Sequence, residues 1–154
     1  MQDALPPRPY RSKTVAAWLA LLLGSVGLHR IYLNGPTDKL AWGHVPLTVL
    51  GLVGAERMTA FGQDDRLAWL LVPLLGLMLS QAMLFAIVYA LTPDERWDAR
   101  HNPGQPGRST RWGAVLAAVA ALTIGGVVLI GTIAFSIQKI FEVQLESTAP
   151  PQRR

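Results

Sequence analysis

Cysteine is missing from this chain altogether, and charge is scarce. Without cysteine there is neither a disulfide nor a thiolate metal site, and the redox compartment is left undetermined. Charged residues make up 16% of the 154, against about 25% in an ordinary soluble domain. The shortage is uneven. Leu67 to Thr92 is a run of 26 residues without Asp, Glu, Lys or Arg, and Trp112 to Ile137 is another of 26. A helix of that length, apolar on every face, does not suit a soluble core. It matches the roughly 20 residues that a bilayer about 30 Å thick requires.

The marks of catalysis are also absent. There is no HExxH pair, no Gly-x-Ser-x-Gly elbow and no glycine loop for phosphate. The three histidines, His29, His44 and His101, are far apart in sequence. Asp94, Asp98 and His101 share a helical face, which reads as a solvated amphipathic helix rather than a metal site. The long runs lack the ionisable groups that proton-coupled pumps place inside the membrane. The expectation is therefore no enzyme, no cofactor and no metal. The formal charge of +4 comes from basic residues flanking apolar segments, so they read as anchors and topology signals, and no nucleic-acid partner is expected.

What is present is an all-α membrane pattern with four hydrophobic segments: a helical hairpin followed by a second transmembrane helix pair. Residues 1–13, with Pro6, Pro7 and Pro9 before Arg8, Arg11 and Lys13, read as a disordered basic tail. Residues 14–55 form the hairpin. Its first segment is an apolar run from Thr14 to Leu28, stopped by His29 and Arg30 and resumed by Ile31, Tyr32 and Leu33; no A-x-A-like site follows it, so a cleaved signal peptide is disfavoured. Asn34-Gly35-Pro36 marks a turn. The second segment, Leu40 to Ala55, is short and contains His44 and Pro46. It reads as the weakest span, kinked or partly re-entrant. Glu56 to Arg66 is a polar loop. Residues 56–140 hold the second pair, with Trp69 and Tyr89 as interfacial aromatics and Pro73 as a mild bend. Thr92-Pro93-Asp94-Glu95 has the form of a capping box, predicting an interfacial helix near 93–100 anchored in the membrane by Trp97. Residues 141–154 read as a flexible tail. No internal repeat is apparent at this level.

The stretch Arg11 to Gly35, RSKTVAAWLALLLGSVGLHRIYLNG, carries an unusual group of residues. Gly24 and Gly27 permit close helix approach; His29, Arg30 and Tyr32 then end the apolar run. This stretch resembles the first half of the two-transmembrane (TM-2) domain family. Lys13, Gly24, Gly27, His29, Arg30, Tyr32 and Leu33 match its pattern. Ile31 stands where that family usually has Phe, and Asn34 where it usually has Gly; Glu56 is placed to serve as the acidic residue at the end of its second helix. The resemblance covers about a third of the chain. It implies a small bacterial integral membrane protein and no particular reaction. His29, Arg30 and Tyr32 then have two readings: an anchor to lipid headgroups, or a binding surface for lipid or a partner.

Gly113, Ala117, Ala121 and Gly125 recur every four residues in the last segment, which places small side chains on one face for helix packing, within the chain or between copies. With four spans, eight basic residues fall on the side of the termini and six on the other, which puts both termini in the cytoplasm; the resemblance to the two-transmembrane family implies a bacterial inner membrane. The function expected is a non-catalytic membrane adaptor or scaffold, in contact with the lipid bilayer and with another membrane protein or itself. The alternative is a small channel or transporter component, with His44 and Pro46 marking a broken helix.

Overall fold

The computed structural model describes residues 9–148, and every regular element among them is helical: α1 (Lys13–Leu23), a 3₁₀ turn (Gly24–Val26), α2 (Leu28–Asn34), α3 (Lys39–Phe61), α4 (Arg66–Leu91), α5 (Asp94–His101) and α6 (Trp112–Thr148). The all-α expectation is met. Among these helices only α4 and α6 are long and apolar enough to cross a membrane, so the count of four such segments is corrected to two.

The first segment fails because it is broken. Gly27 sits at φ +81°, where a Cβ would be strained and would also run into the Ala41 carbonyl. The chain reverses there. The Ser12 amide donates to the Tyr32 hydroxyl at 2.8 Å, and Leu33 packs on Ala16 and Trp97. The 11 residues of α1 are about 16 Å long, half a bilayer, so α1 and α2 form a hairpin that returns to the end where it began. Breaking a helix frees backbone carbonyls; the Thr48 hydroxyl of α3 takes up one of them, donating to Ser25 O at 2.5 Å.

The shortness of the second segment is corrected the other way. α3 is one continuous helix of 23 residues with Pro46 inside it, and it absorbs most of the expected loop after Glu56. It lies antiparallel to α4: Gly51 and Gly54 let the backbones meet, since a Cβ there would stand 2.5 Å from Leu75 N and from Leu71 Cβ respectively. α6 also runs antiparallel to α4, with Ala117 and Ala118 beside Ala90 and Ala121 beside Met83. Ser12 lies at the end of the bundle formed by Thr92 and α5, whereas Lys139 of α6 lies over the Trp69 ring at the opposite end. The two ends of the described chain therefore point to opposite ends of the bundle, which does not fit termini on one side. Residues 141–148, expected in a flexible tail, continue α6; residues 1–8 and 149–154 of the expected tails lie outside the described residues.

The structure also exposes an internal repeat. Gly35-x-x-Asp38-Lys39-Leu40-Ala41-Trp42-x-x-Val45-Pro46-Leu47 recurs as Gly62-x-x-Asp65-Arg66-Leu67-Ala68-Trp69-x-x-Val72-Pro73-Leu74. Gly35 and Gly62 end a helix at φ +94° and +86°. Asp38 and Asp65 cap the next one, accepting from Leu40 N and Leu67 N. Each aspartate also pairs with an arginine eight residues earlier: Arg30 to Asp38 at 3.0 Å, Arg57 to Asp65 at 2.8 Å. Each tryptophan indole donates back to a corner carbonyl, Trp42 to Pro36 and Trp69 to Gln63. Because α3 and α4 are antiparallel, the same corner is built at opposite ends of the bundle.

Candidate functional site

The polar groups inside the bundle collect where the α1–α2 hairpin meets α3 and α4. His29 is fully buried, and neither ring nitrogen has a hydrogen-bond partner. Its ring stands edge-on to His44 at 5.8 Å and lies against Phe85 at 5.2 Å and Tyr89 at 5.8 Å. His44 is buried too. Its Nδ1–H donates to Leu40 O at 2.6 Å, leaving Nε2 as the acceptor facing Gln81 Nε2 at 3.4 Å. Burying a polar group without a partner costs roughly 1–3 kcal/mol, and buried polar groups are nearly always satisfied. His29 therefore stands out from the packing around it. Phe85 and Gln81 lie six to ten residues below the end of α4, a depth of about 9–15 Å.

The three residues of the expected binding surface part company. His29 is sealed inside. The Tyr32 hydroxyl is engaged by Ser12 N. Arg30 stays at the end of the bundle, paired with Asp38. Gly24 meets α4, where a Cβ would stand 2.7 Å from Ala82 Cβ, and Gly27 meets α3. The small-residue face of α6 is turned into the chain: Ala117 and Ala121 are fully buried, Gly113 faces Thr14, and a Cβ on Gly125 would stand 2.6 Å from Met83 Cβ.

A second polar group fastens the chain entry to α5. Lys13 Nζ donates to Thr92 O at 2.8 Å and to Asp94 Oδ1 at 2.5 Å, and the Thr110 amide donates to Asp94 Oδ2 at 2.8 Å. Partial burial pushes the Asp94 carboxyl up, but bonds from Lys13 and Thr110 outweigh it and hold the group at about 2. Tyr10 donates to Asp98 at 2.7 Å, and the buried Asn102 receives the Arg11 amide at 2.7 Å. The expected capping box is not formed: Thr92 Oγ1 donates back to Val88 O and Asp94 is taken up by Lys13. Trp97 is not a membrane-facing anchor either. It is 3% exposed, its indole donates to Arg11 O at 2.8 Å, and Tyr89 lies against it, 5.7 Å between ring centroids, so Tyr89 faces inward as well. Both are drawn in because Arg11 and His29 offer contacts that lipid does not.

Sequence inspection singled out neither Gln81 nor the pairing of His29 with His44. The signal was a Gln inside an otherwise apolar run. Among the described residues no group of three or more His, Asp or Glu side chains converges to hold a metal ion. Comparison with known proteins finds no matching family model, no matching curated protein and no matching solved structure.

Proposed function

We propose that this chain is an integral membrane protein in which α3, α4 and α6 cross the bilayer while α1 and α2 dip in and return, and that it serves as a non-catalytic adaptor for another membrane protein. The most apolar windows of α4 and α6 are only 22% buried within the fold; a core helix of a soluble protein would be covered, so the rest of their surface calls for apolar surroundings. α3 lacks their hydropathy, but it is long enough to cross and packs along α4, and its mid-helix polar groups, His44 and Thr48, are buried against protein. With three crossings, Arg11, Lys13, Arg30, Lys39, Arg96, Arg100, Arg108 and Arg111 share one side, and of the described basic residues only Arg57, Arg66 and Lys139 lie on the other. The positive-inside rule then makes the α5 end cytoplasmic. The resemblance of residues 11–35 to the two-transmembrane domain family motivates placing the chain in a bacterial inner membrane.

The observation that carries the adaptor reading is the overhang of α6. Lys139 is level with Trp69 near the start of α4, Val143 and Gln144 still share a cavity wall with Arg66, and α6 runs on past them to Thr148, with Phe141 at 59% and Leu145 at 71% exposure. A protruding helix with bare large apolar side chains is a surface for a partner. The test is a photoreactive aromatic at position 141 in living cells. Crosslinking to one membrane protein, lost on Leu145→Arg, is the expected result; crosslinks to lipid or to its own chain alone would overturn the reading.

One observation favours transport as a second reading. An unpartnered histidine beside a re-entrant hairpin is the kind of interrupted, polar arrangement that lines solute paths within membranes. Proteoliposomes would show a proton or solute leak that His29→Ala abolishes; sealed vesicles with the wild-type chain would dismiss it.

A further inference from the structure

Helix α5 is held rigidly over the cytoplasmic end of the bundle by Trp97, Asn102 and Asp94, and this fixes where its remaining side chains go. Arg96 and Arg100 are one turn apart on one face. Beside them His101 lies tilted against Trp97, ring centroids 4.3 Å apart. Together with Arg30 from α2 they line a cavity of about 330 Å³ between α2, α4 and α5, which Tyr89 also lines. No carboxylate lines it. Arg30 is balanced by Asp38, but among the described residues Arg96 and Arg100 have no acidic partner. Like charges spaced i, i+4 on a helix repel each other, and here a third guanidinium faces the same space.

We propose that this cavity is a binding site for a phosphate-bearing anion, with Arg96 and Arg100 as its principal ligands and Arg30 and His101 completing it. Guanidinium forks match the oxygen spacing of phosphate and bind it in pairs. Two sources supply that chemistry, an anionic phospholipid headgroup or a free phosphate. The position suits the first: basic pockets between transmembrane helices on the cytoplasmic side take lipid headgroups, and from the cavity wall at Val88 the α4 surface continues to Leu84, both exposed, giving an acyl chain a path downward. The lipid source rests on the membrane reading above; the free-phosphate source does not.

The test is calorimetric titration of the full chain in nonionic detergent with three probes: short-chain phosphatidylglycerol, short-chain phosphatidylcholine and inorganic phosphate. Arg96 and Arg100 are exposed and unpaired, so R96Q/R100Q is expected to fold normally. It should weaken phosphatidylglycerol binding roughly thirtyfold, from about fivefold for each arginine lost. The control K39Q/R111Q removes the same charge from the same end, outside the cavity, and should leave affinity within about twofold of wild type. Phosphatidylglycerol bound more tightly than inorganic phosphate identifies a headgroup site; equal or tighter binding of inorganic phosphate identifies a free-anion site. The proposal is overturned if neither anion binds in the millimolar range, if phosphatidylcholine binds as well as phosphatidylglycerol, if R96Q/R100Q binds like wild type, or if K39Q/R111Q loses as much.

Discussion

At the scale of single residues, Asp94 ties the N-terminal entry of the chain to α5. Its carboxyl is held at about 2, below the ordinary 3.8, so the folded state favours its charged form. The sign follows directly. A depressed carboxylate contributes stability that is fully present above about pH 4 and is lost as pH falls towards 2. The attachment of Lys13 to α5 should therefore loosen across that window. Protection of the Trp97 and Asn102 amides, taken relative to intrinsic exchange at each pH, should fall on acidification in wild type, whereas Asp94→Asn should show the lowered protection already at neutral pH. Unchanged protection in the variant would mean that Trp97 and Asn102 alone hold the helix. Gly27 shows how one residue sets topology: its left-handed backbone and the nearby Ala41 carbonyl turn a nominal span into a half-depth hairpin. The glycine is plain in the sequence, but its sign of φ is not, because a glycine inside an apolar run serves equally well for close packing.

At the scale of elements, the repeated corner is the clearest unit of construction. The arginine, the C-terminal glycine, the capping aspartate and the back-bonding tryptophan together satisfy backbone groups that a sharp helix-to-helix turn leaves open. Since the two corners are built alike, substitutions should rank alike at both. Asp38→Asn keeps a cap and loses the arginine pair; Asp38→Ala loses both. The thermal midpoint should fall more for Ala than for Asn at position 38 and equally so at position 65, while Asp64→Ala, beside the cap but outside it, should leave the midpoint in place. Different rankings at the two corners would show that tertiary surroundings, not the corner itself, carry the stability. The repeat was legible in the residues, as Asp-x-Leu-Ala-Trp-x-x-Val-Pro-Leu appears twice. It hides because its two copies begin in a loop and end inside a helix, so they straddle the boundaries that hydropathy draws.

At the scale of the whole molecule, the bundle sets a topology. α3, α4 and α6 alternate in direction, and the α1–α2 hairpin adds no crossing, so Ser12 and Ser147 lie on opposite sides of the membrane in the proposed arrangement. The chain has no native cysteine, which gives single-cysteine labelling a blank background. A membrane-impermeant thiol reagent applied to intact cells should label Ser147→Cys and spare Ser12→Cys until the membrane is opened. Labelling of both, or of neither, from outside would restore an even number of crossings.

The sequence by itself determined that the chain is helical and that two of its helices are long and apolar enough to span a membrane, because absence of charge over 26 residues and helical rise are local properties that no partner is needed to express. It also marked the stretch around His29 and Arg30 as unusual. Only the tertiary structure decided that the first apolar run folds back, that Trp97 and Tyr89 face protein, that His29 is sealed without a partner, and that Arg96 and Arg100 converge with Arg30 on one cavity. Each of these depends on what a side chain meets when residues distant in sequence pack together, and a one-dimensional pattern of hydropathy gives the same signal for a face turned to lipid and a face turned to another helix.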